Sequence, residues 1–180
     1  MPVVRFHRVR LASCAVLIAA GLCACERWPE AYPVPAQQPT FEDAERWERI
    51  VHMTDVDAHD HFIGDIFDPL SANWRWTGKK PLIRLNAPAG VRRNYSIQFV
   101  IPDAAFRVTG PVTLTFLVNG HVLDRRSYSA AGPYTFEKEV PSEWISGGET
   151  TLGAQIDKTY KAENQPAYGF LMVAIGLKRI

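Results

Sequence analysis

The sequence predicts an all-β fold, an antiparallel β-sandwich of about eight strands preceded by one short helix. Three observations carry that expectation. Beyond Trp74, apolar residues recur at every second position in one segment after another, the period of a strand with one buried face. Asn119 and Gly120 stand between two such segments, and a two-residue type I′ turn favours this pair because it needs positive φ at both positions. No helical pattern alternates with the strands, as a parallel sheet would require.

The strands follow in order. In "PLIRLNA", Leu82 and Arg84 oppose Ile83 and Leu85. In "NYSIQFVIP", Tyr95, Ile97, Phe99 and Ile101 oppose Ser96 and Gln98. In "VTLTFLV", Val112, Leu114, Phe116 and Val118 oppose Thr113 and Thr115, and "HVLDRRSY" returns antiparallel after the Asn-Gly turn. "YTFEKEV" sets Tyr134 and Phe136 against Thr135, Glu137 and Glu139, and "TTLGAQID" offers Leu152, Ala154 and Ile156. The closing "YGFLMVAIGLKRI" is apolar on both faces, so it is expected to be a central strand. The sandwich is placed at residues 54–180, enough chain to bury a core.

Residues 40–53, "TFEDAERWERIVHM", are expected to form the short helix. Thr40 with Asp43 matches a capping box. Phe41, Ala44, Trp47 and Val51 recur at three- and four-residue steps, giving an apolar face that is expected to pack on the domain. Residues 26–39 carry Pro29, Pro33, Pro35 and Pro39. Proline removes backbone donors and favours extended chain, so this stretch reads as a tether.

Residues 1–25 read as an export signal. Arg5, Arg8 and Arg10 precede "LASCAVLIAAGL", an apolar run too short for a permanent membrane helix. The run ends in "LCAC", and Leu22, Ala24 and Cys25 resemble the lipobox of bacterial lipoprotein precursors. Cys23 departs from that pattern. The resemblance implies lipidation at Cys25, which would become the mature N-terminus. It implies anchorage in the cell envelope, at the outer membrane where the organism has one, since Glu26 rather than aspartate follows the cysteine. The alternative is an ordinary cleaved signal and a soluble periplasmic or secreted protein.

Composition excludes several classes. The three cysteines are Cys14, Cys23 and Cys25, so residues 26–180 have no disulfide, thiol nucleophile or cysteine-bound metal. The chain has 20 Lys+Arg and 19 Asp+Glu, and the leader holds three of the arginines and no acid. Residues 26–180 therefore carry 17 basic against 19 acidic side chains, with nothing to attract nucleic acid.

Two stretches invite a chemical reading. "DVDAHDHFIGD", residues 55–65, has the density of a metal site. As a calcium loop it fails at the fifth, sixth and twelfth positions, occupied by His59, Asp60 and Ile66. As a zinc site it offers His59 and His61 without the further ligands zinc needs. It reads as a solvated connector, and no metal or cofactor is expected. No G-x-S-x-G and no phosphate-cradling glycine loop occurs. "NWRWTGKKP" is the second stretch. On a strand, Trp74 and Trp76 share one face and Arg75 takes the other. Paired tryptophans on one face either stack on sugar rings or close the end of a core.

The run "NWRWTGKKPLIRL", the strand ending in "IP", "GPVTLTFLVNGHVLD", "FEKEVP" and the closing "AIGL" resemble small bacterial β-sandwich modules of jelly-roll or galactose-binding-like type. Such modules accompany glycan-processing proteins, and the resemblance covers residues 55–178. It implies a glycan-binding role without catalysis. The loop "DKTYKAENQPAY", residues 157–168, either forms a wall of that surface or is a simple crossover. The expected ligand contacts are stacking by Trp74, Trp76 and Tyr160, and hydroxyl bonds from Arg75, Asp157 and Lys158. The expected partners are a membrane, through the lipid, and a glycan or another envelope protein. The rival roles are a scaffold subunit of an envelope complex and a metal-dependent hydrolase using the Asp/His cluster.

Overall fold

Two-residue alternation becomes strand pairing throughout the computed structural model, which describes residues 50–67, 73–161 and 163–180. The leader, the tether and residues 40–49 of the expected helix lie outside the described residues. The strands are β1 (Ile50–His52), β2 (Phe62–Ile66), β3 (Arg75–Ala87), β4 (Arg93–Ile101), β5 (Val112–Val118), β6 (His121–Tyr128), β7 (Gly132–Val140), β8 (Gly148–Ile156), β9 (Tyr160–Lys161), β10 (Ala167–Tyr168) and β11 (Leu171–Arg179). One helix, α1 (Asp103–Thr109), joins β4 to β5. The fold is all-β, as the period predicts.

The hydrogen-bonded order is β6-β5-β8-β3-β11-β4-β7, with β1 added to β11 and β2 to β3. Every pairing is antiparallel. Strands β8, β3, β11 and β4 separate β5 from β7 in that order. Nevertheless Phe116 on β5 and Phe136 on β7 stack with centroids 3.7 Å apart and planes 7° from parallel. The ribbon of strands is thus folded over into two layers, and these rings meet in its middle. The turn of the ribbon is the β3–β11 pairing, which has only two residue pairs, Trp76 with Leu171 and Arg75 with Met172.

The alternating apolar residues form the core between the layers. Ile83, Tyr95, Ile97, Leu114, Phe116, Leu152 and Ile175 are fully buried. Tyr95 brings a hydroxyl into this core and donates it to the Gly153 carbonyl at 2.9 Å, so its polar atom is satisfied. Burial holds its phenol well above the usual tyrosine range. The closing strand β11 is central, as its two-faced apolar character predicts, with β1 and β4 on its flanks. The β5–β6 hairpin turns at Asn119 (φ 48°) and Gly120 (φ 79°), both positive as a type I′ turn requires. Asn119 also donates to the Trp144 carbonyl and accepts from Thr151 N–H, which ties the turn to β8.

Three expectations change. Of the helix expected over residues 40–53, the described part is not helical, because Ile50–His52 is β1. Val51 is fully buried opposite Ile175, and burial beside β11 overrides the helical spacing. The connector read at residues 55–65 is partly ordered structure, a 3-10 turn at Ala58–His61 followed by β2. Among the described residues, eight strands have five or more residues, as expected, with the short β1, β9 and β10 added to them, and α1 is a helix that the sequence pattern does not predict. That helix has seven residues with only Ala105 fully buried, and Gly110 ends it at φ 64°.

The middle of the sandwich leaves no room beside Gly153. A Cβ there would lie 2.4 Å from the Pro81 carbonyl oxygen and 2.5 Å from Leu82 Cδ2. Gly153→Ala is expected to destabilise the domain by about 2–3 kcal/mol, the cost of overpacking a dense core. A urea midpoint within error of the parent would contradict this packing.

Candidate functional site

Chain direction gathers the informative residues at one end of the sandwich. Strands β4, β6 and β8 run towards that end, and β3, β5, β7 and β11 start from it. The start of β3, helix α1 and the β9–β10 hairpin are therefore neighbours, with β10 lying against β3 and α1 against β9.

The organising contact is between β3 and the residue before β11. Thr77 is fully buried, and its N–H and hydroxyl both donate to the Phe170 carbonyl at 2.9 Å. Its Oγ1 accepts from Phe170 N–H at 3.1 Å, and its carbonyl accepts from Gly169 N–H at 2.7 Å. The backbones approach so closely that a Cβ on Gly169 would lie 2.4 Å from the Gly78 carbonyl oxygen. Trp76 and Tyr168 immediately precede Thr77 and Gly169, so this lock sets both rings.

Those rings meet. Trp76 and Tyr168 lie 4.7 Å apart with planes at 36°. Trp74 meets Trp76 at 6.0 Å and 84°, and Phe67 meets Tyr168 at 5.4 Å and 86°. All four are half-buried. The half-buried apolar residues that pack against the core are Phe62, Ile66, Phe106, Tyr128, Tyr134 and Trp144. At the start of β3, Trp76 contacts Trp74 on one side and Tyr168 on the other. Directly paired residues share a sheet face, so Trp76, Leu171 and Val100 line one outward row across β3, β11 and β4.

The remaining sequence candidates are placed as follows. Tyr160 pairs directly with Tyr168 across the β9–β10 hairpin and is half-buried, beside the cluster. Arg75 lies on the other side of β3, its guanidinium 5.0 Å from the centroid of the Phe62 ring. Asp157 accepts from Thr113 N–H at 2.8 Å, and Lys158 donates to the Thr109 and Pro111 carbonyls at 3.1 and 2.6 Å. Both side chains fasten the end of α1 and the start of β5. Cys25 lies outside the described residues. Sequence reasoning missed Phe67 and Tyr168 as site residues. The loop of residues 157–168 carries both Tyr160 and Tyr168, and only the ring contact shows that Tyr168 reaches Trp76.

The Asp/His stretch is engaged in its own fold. Asp55 accepts from His52 N–H and Asp65 from Lys80 N–H, each at 2.8 Å, and His61 Nδ1 donates to the Arg84 carbonyl at 2.9 Å. Asp65 adopts φ 58° and lays its carboxylate over Gly78, where a Cβ would lie 2.6 Å from Oδ1. Among the described residues, no three His, Cys, Asp or Glu side chains are grouped as metal ligands.

No family model matches the chain, and no curated protein matches it. Solved structures similar to it include a family 35 carbohydrate binding module from an environmental isolate, at 12% identity and a TM-score of 0.49, covering 72% of this chain and 92% of that one. A family 35 module from Clostridium thermocellum matches at 11% identity and a TM-score of 0.42, covering 72% and 95%. The exo-beta-1,3-galactanase of Phanerochaete chrysosporium matches at 10% identity and a TM-score of 0.44, with 72% of this chain against 29% of that enzyme. Likeness at this level transfers no ligand and no role to this chain.

The lock is testable by removing one hydroxyl. Thr77→Val keeps the shape and leaves the Phe170 N–H and carbonyl without their side-chain partner, a loss of about 1–3 kcal/mol. Trp74→Ala, outside the core, is expected to cost under about 1 kcal/mol. Equal destabilisation of the two variants in urea unfolding would contradict this ordering.

Proposed function

We propose that this chain is a non-catalytic carbohydrate-binding protein of the cell envelope, and that sugar stacks on the aromatic cluster of Trp74, Trp76 and Tyr168, with Tyr160 at its margin. The observation that carries the reading is that Trp76, at the outward start of β3, lies against both Trp74 and Tyr168, while other half-buried rings pack on the core. Large aromatic rings held half-exposed by a rigid backbone offer apolar faces to the C–H faces of pyranoses at low entropic cost.

Asp157 and Lys158 act as supports in this reading, because their hydrogen bonds to backbone fix the rim beside β9. Arg75 supports the base of β3 from the side of Phe62. Hydroxyl recognition then falls to groups around the rings rather than to these three side chains.

Titration of tryptophan fluorescence with envelope polysaccharides checks the site. Trp76→Ala and Tyr168→Ala are each expected to weaken binding by about 2 kcal/mol, roughly 30-fold, with circular dichroism unchanged. Undiminished binding by the Trp74→Ala/Trp76→Ala double variant overturns the assignment.

The envelope location is part of the proposal, and it rests on "LCAC" at residues 22–25. Lipidation at Cys25 would place the module on a membrane through its acyl chains, with the proline-bearing residues 26–39 as spacer. Metabolic labelling with an alkyne analogue of palmitate is expected to tag the parent chain and not Cys25→Ser. Equal label on both proteins contradicts it.

A further inference from the structure

We infer that the outer face of the layer formed by β1, β11 and β4 is an intramolecular docking surface, and that its occupant is residues 40–49, laid across it as a helix on the side of Phe41, Ala44 and Trp47. Direct pairing sets the rows of this layer. Ile50, Gly176, Ser96 and Glu137 are paired in succession across β1, β11, β4 and β7. His52, Ala174, Gln98 and Thr135 form the next row. The row between them, Val51, Ile175, Ile97 and Phe136, belongs to the core, so these two rows point away from it.

The outward rows of an outer layer ordinarily meet water. The middle of this face does not. Ala174 is 1% exposed and Ser96 2%, and Gly176 is buried as well. Side chains in a strand rise roughly perpendicular to the sheet. The row neighbours of Gly176 therefore stand beside it, and glycine has no side chain of its own to shield its backbone. The rim differs, because His52, Gln98 and Glu137 are exposed. Burial at the centre of a face, with water at its margins, marks the footprint of a covering segment. Ser96 is suited to such a cover, since its hydroxyl donates to Glu137 Oε1 at 2.9 Å and needs no water.

Connectivity selects the occupant. Residue 49 leads directly into β1, whose Ile50 is half-buried and paired with Gly176. Phe41, Ala44 and Trp47 recur every three residues, and the other seven residues from 40 to 49 are polar or charged. That is one apolar stripe on an otherwise solvated helix. Ten helical residues at about 1.5 Å each reach about 15 Å, enough to cross three strands spaced about 4.8 Å apart. Trp47 lies about one turn before Ile50 and so falls over Gly176 and Ala174, where the absence of bulky side chains lets a helix approach closely. A face covered in this way has no room for a ligand, which leaves the end of the sandwich to the proposed site. The cover itself is independent of what that site binds.

The sign of one substitution in the full chain tests the cover. On a face open to water, Gly176→Leu stabilises, because glycine weakens a strand interior and leucine does not. Under a packed segment it overfills the space, and the urea midpoint is expected to fall. Trp47→Ala is expected to raise the unfolding equilibrium constant by at least about tenfold. The double variant is expected to be no less stable than Gly176→Leu alone, because both changes remove the same contact. A raised midpoint for Gly176→Leu, or a Trp47→Ala variant indistinguishable from the parent, overturns the inference, and additive losses overturn it by placing Trp47 elsewhere. Fluorine NMR of the 5-fluorotryptophan-labelled parent with a soluble paramagnetic chelate keeps the test decisive where Gly176→Leu does not fold. The Trp47 resonance is expected to broaden as little as that of Trp144. Broadening well beyond that of Trp144 overturns the inference, and so does protection that is lost on dilution, which assigns the cover to a second copy of the chain.

Discussion

A buried threonine holds this molecule's two layers in register. Thr77 and Phe170 bond through backbone and hydroxyl at the point where the ribbon of strands turns from β3 to β11. The pairing of β3 with β11 extends over only two residue pairs, so the hydroxyl supplies bonds that a longer ladder would otherwise provide. The cost of that economy is steric. Gly169 approaches the Gly78 carbonyl so closely that it tolerates no side chain without a shift of backbone, and the Asp65 carboxylate covers Gly78. Such closeness leaves the adjacent residues, Trp76 and Tyr168, little freedom in where their rings point.

The core contributes rigidity from the opposite side. Phe116 stacks on Phe136, Tyr95 lies against both at 5.9 and 6.0 Å, and Phe99 joins Phe116 to Phe170. Phe170 thus faces the core with its ring while its backbone bonds Thr77. One residue connects the packed interior to the aromatic cluster outside. The proposed binding surface is built on sheet residues and is thereby pre-ordered, which would reduce the entropy lost on association.

The sequence was legible where a strand is long and faces water on one side. Strands β4, β5, β7 and β8 alternate as one-sided strands do, and the Asn119–Gly120 turn follows from the φ values that only a few residues accept. It was less legible where structure depends on a distant partner. β1 has three residues and no period of its own, and it exists because β11 offers an edge for Val51. β2 is broken by register shifts and by Asp65 at φ 58°, so its residues read as a polar loop. Helix α1 is shorter than two periods of an apolar stripe. Trp74 and Trp76 were visible as a pair, but sequence alone left open whether they faced core or solvent. Tyr168 belongs beside Trp76 through a contact between residues far apart in the chain. Asp157 and Lys158 are charged and sit in a loop, which is all the sequence shows of them; their hydrogen bonds to the end of α1 and the start of β5 depend on residues distant in the chain.

In the proposed function, ligand meets the protein at Trp74 and Trp76 at the start of β3 and not at Trp144. Fluorine NMR of protein labelled with 5-fluorotryptophan reads all five tryptophans at once, with each resonance assigned by single replacement. On addition of a binding oligosaccharide, the signals of Trp74 and Trp76 should move, while that of Trp144, packed on the core and stacked on His121 at 4.9 Å, should stay. A shift confined to Trp144, or saturation of binding with Trp74 and Trp76 unmoved, would contradict the account.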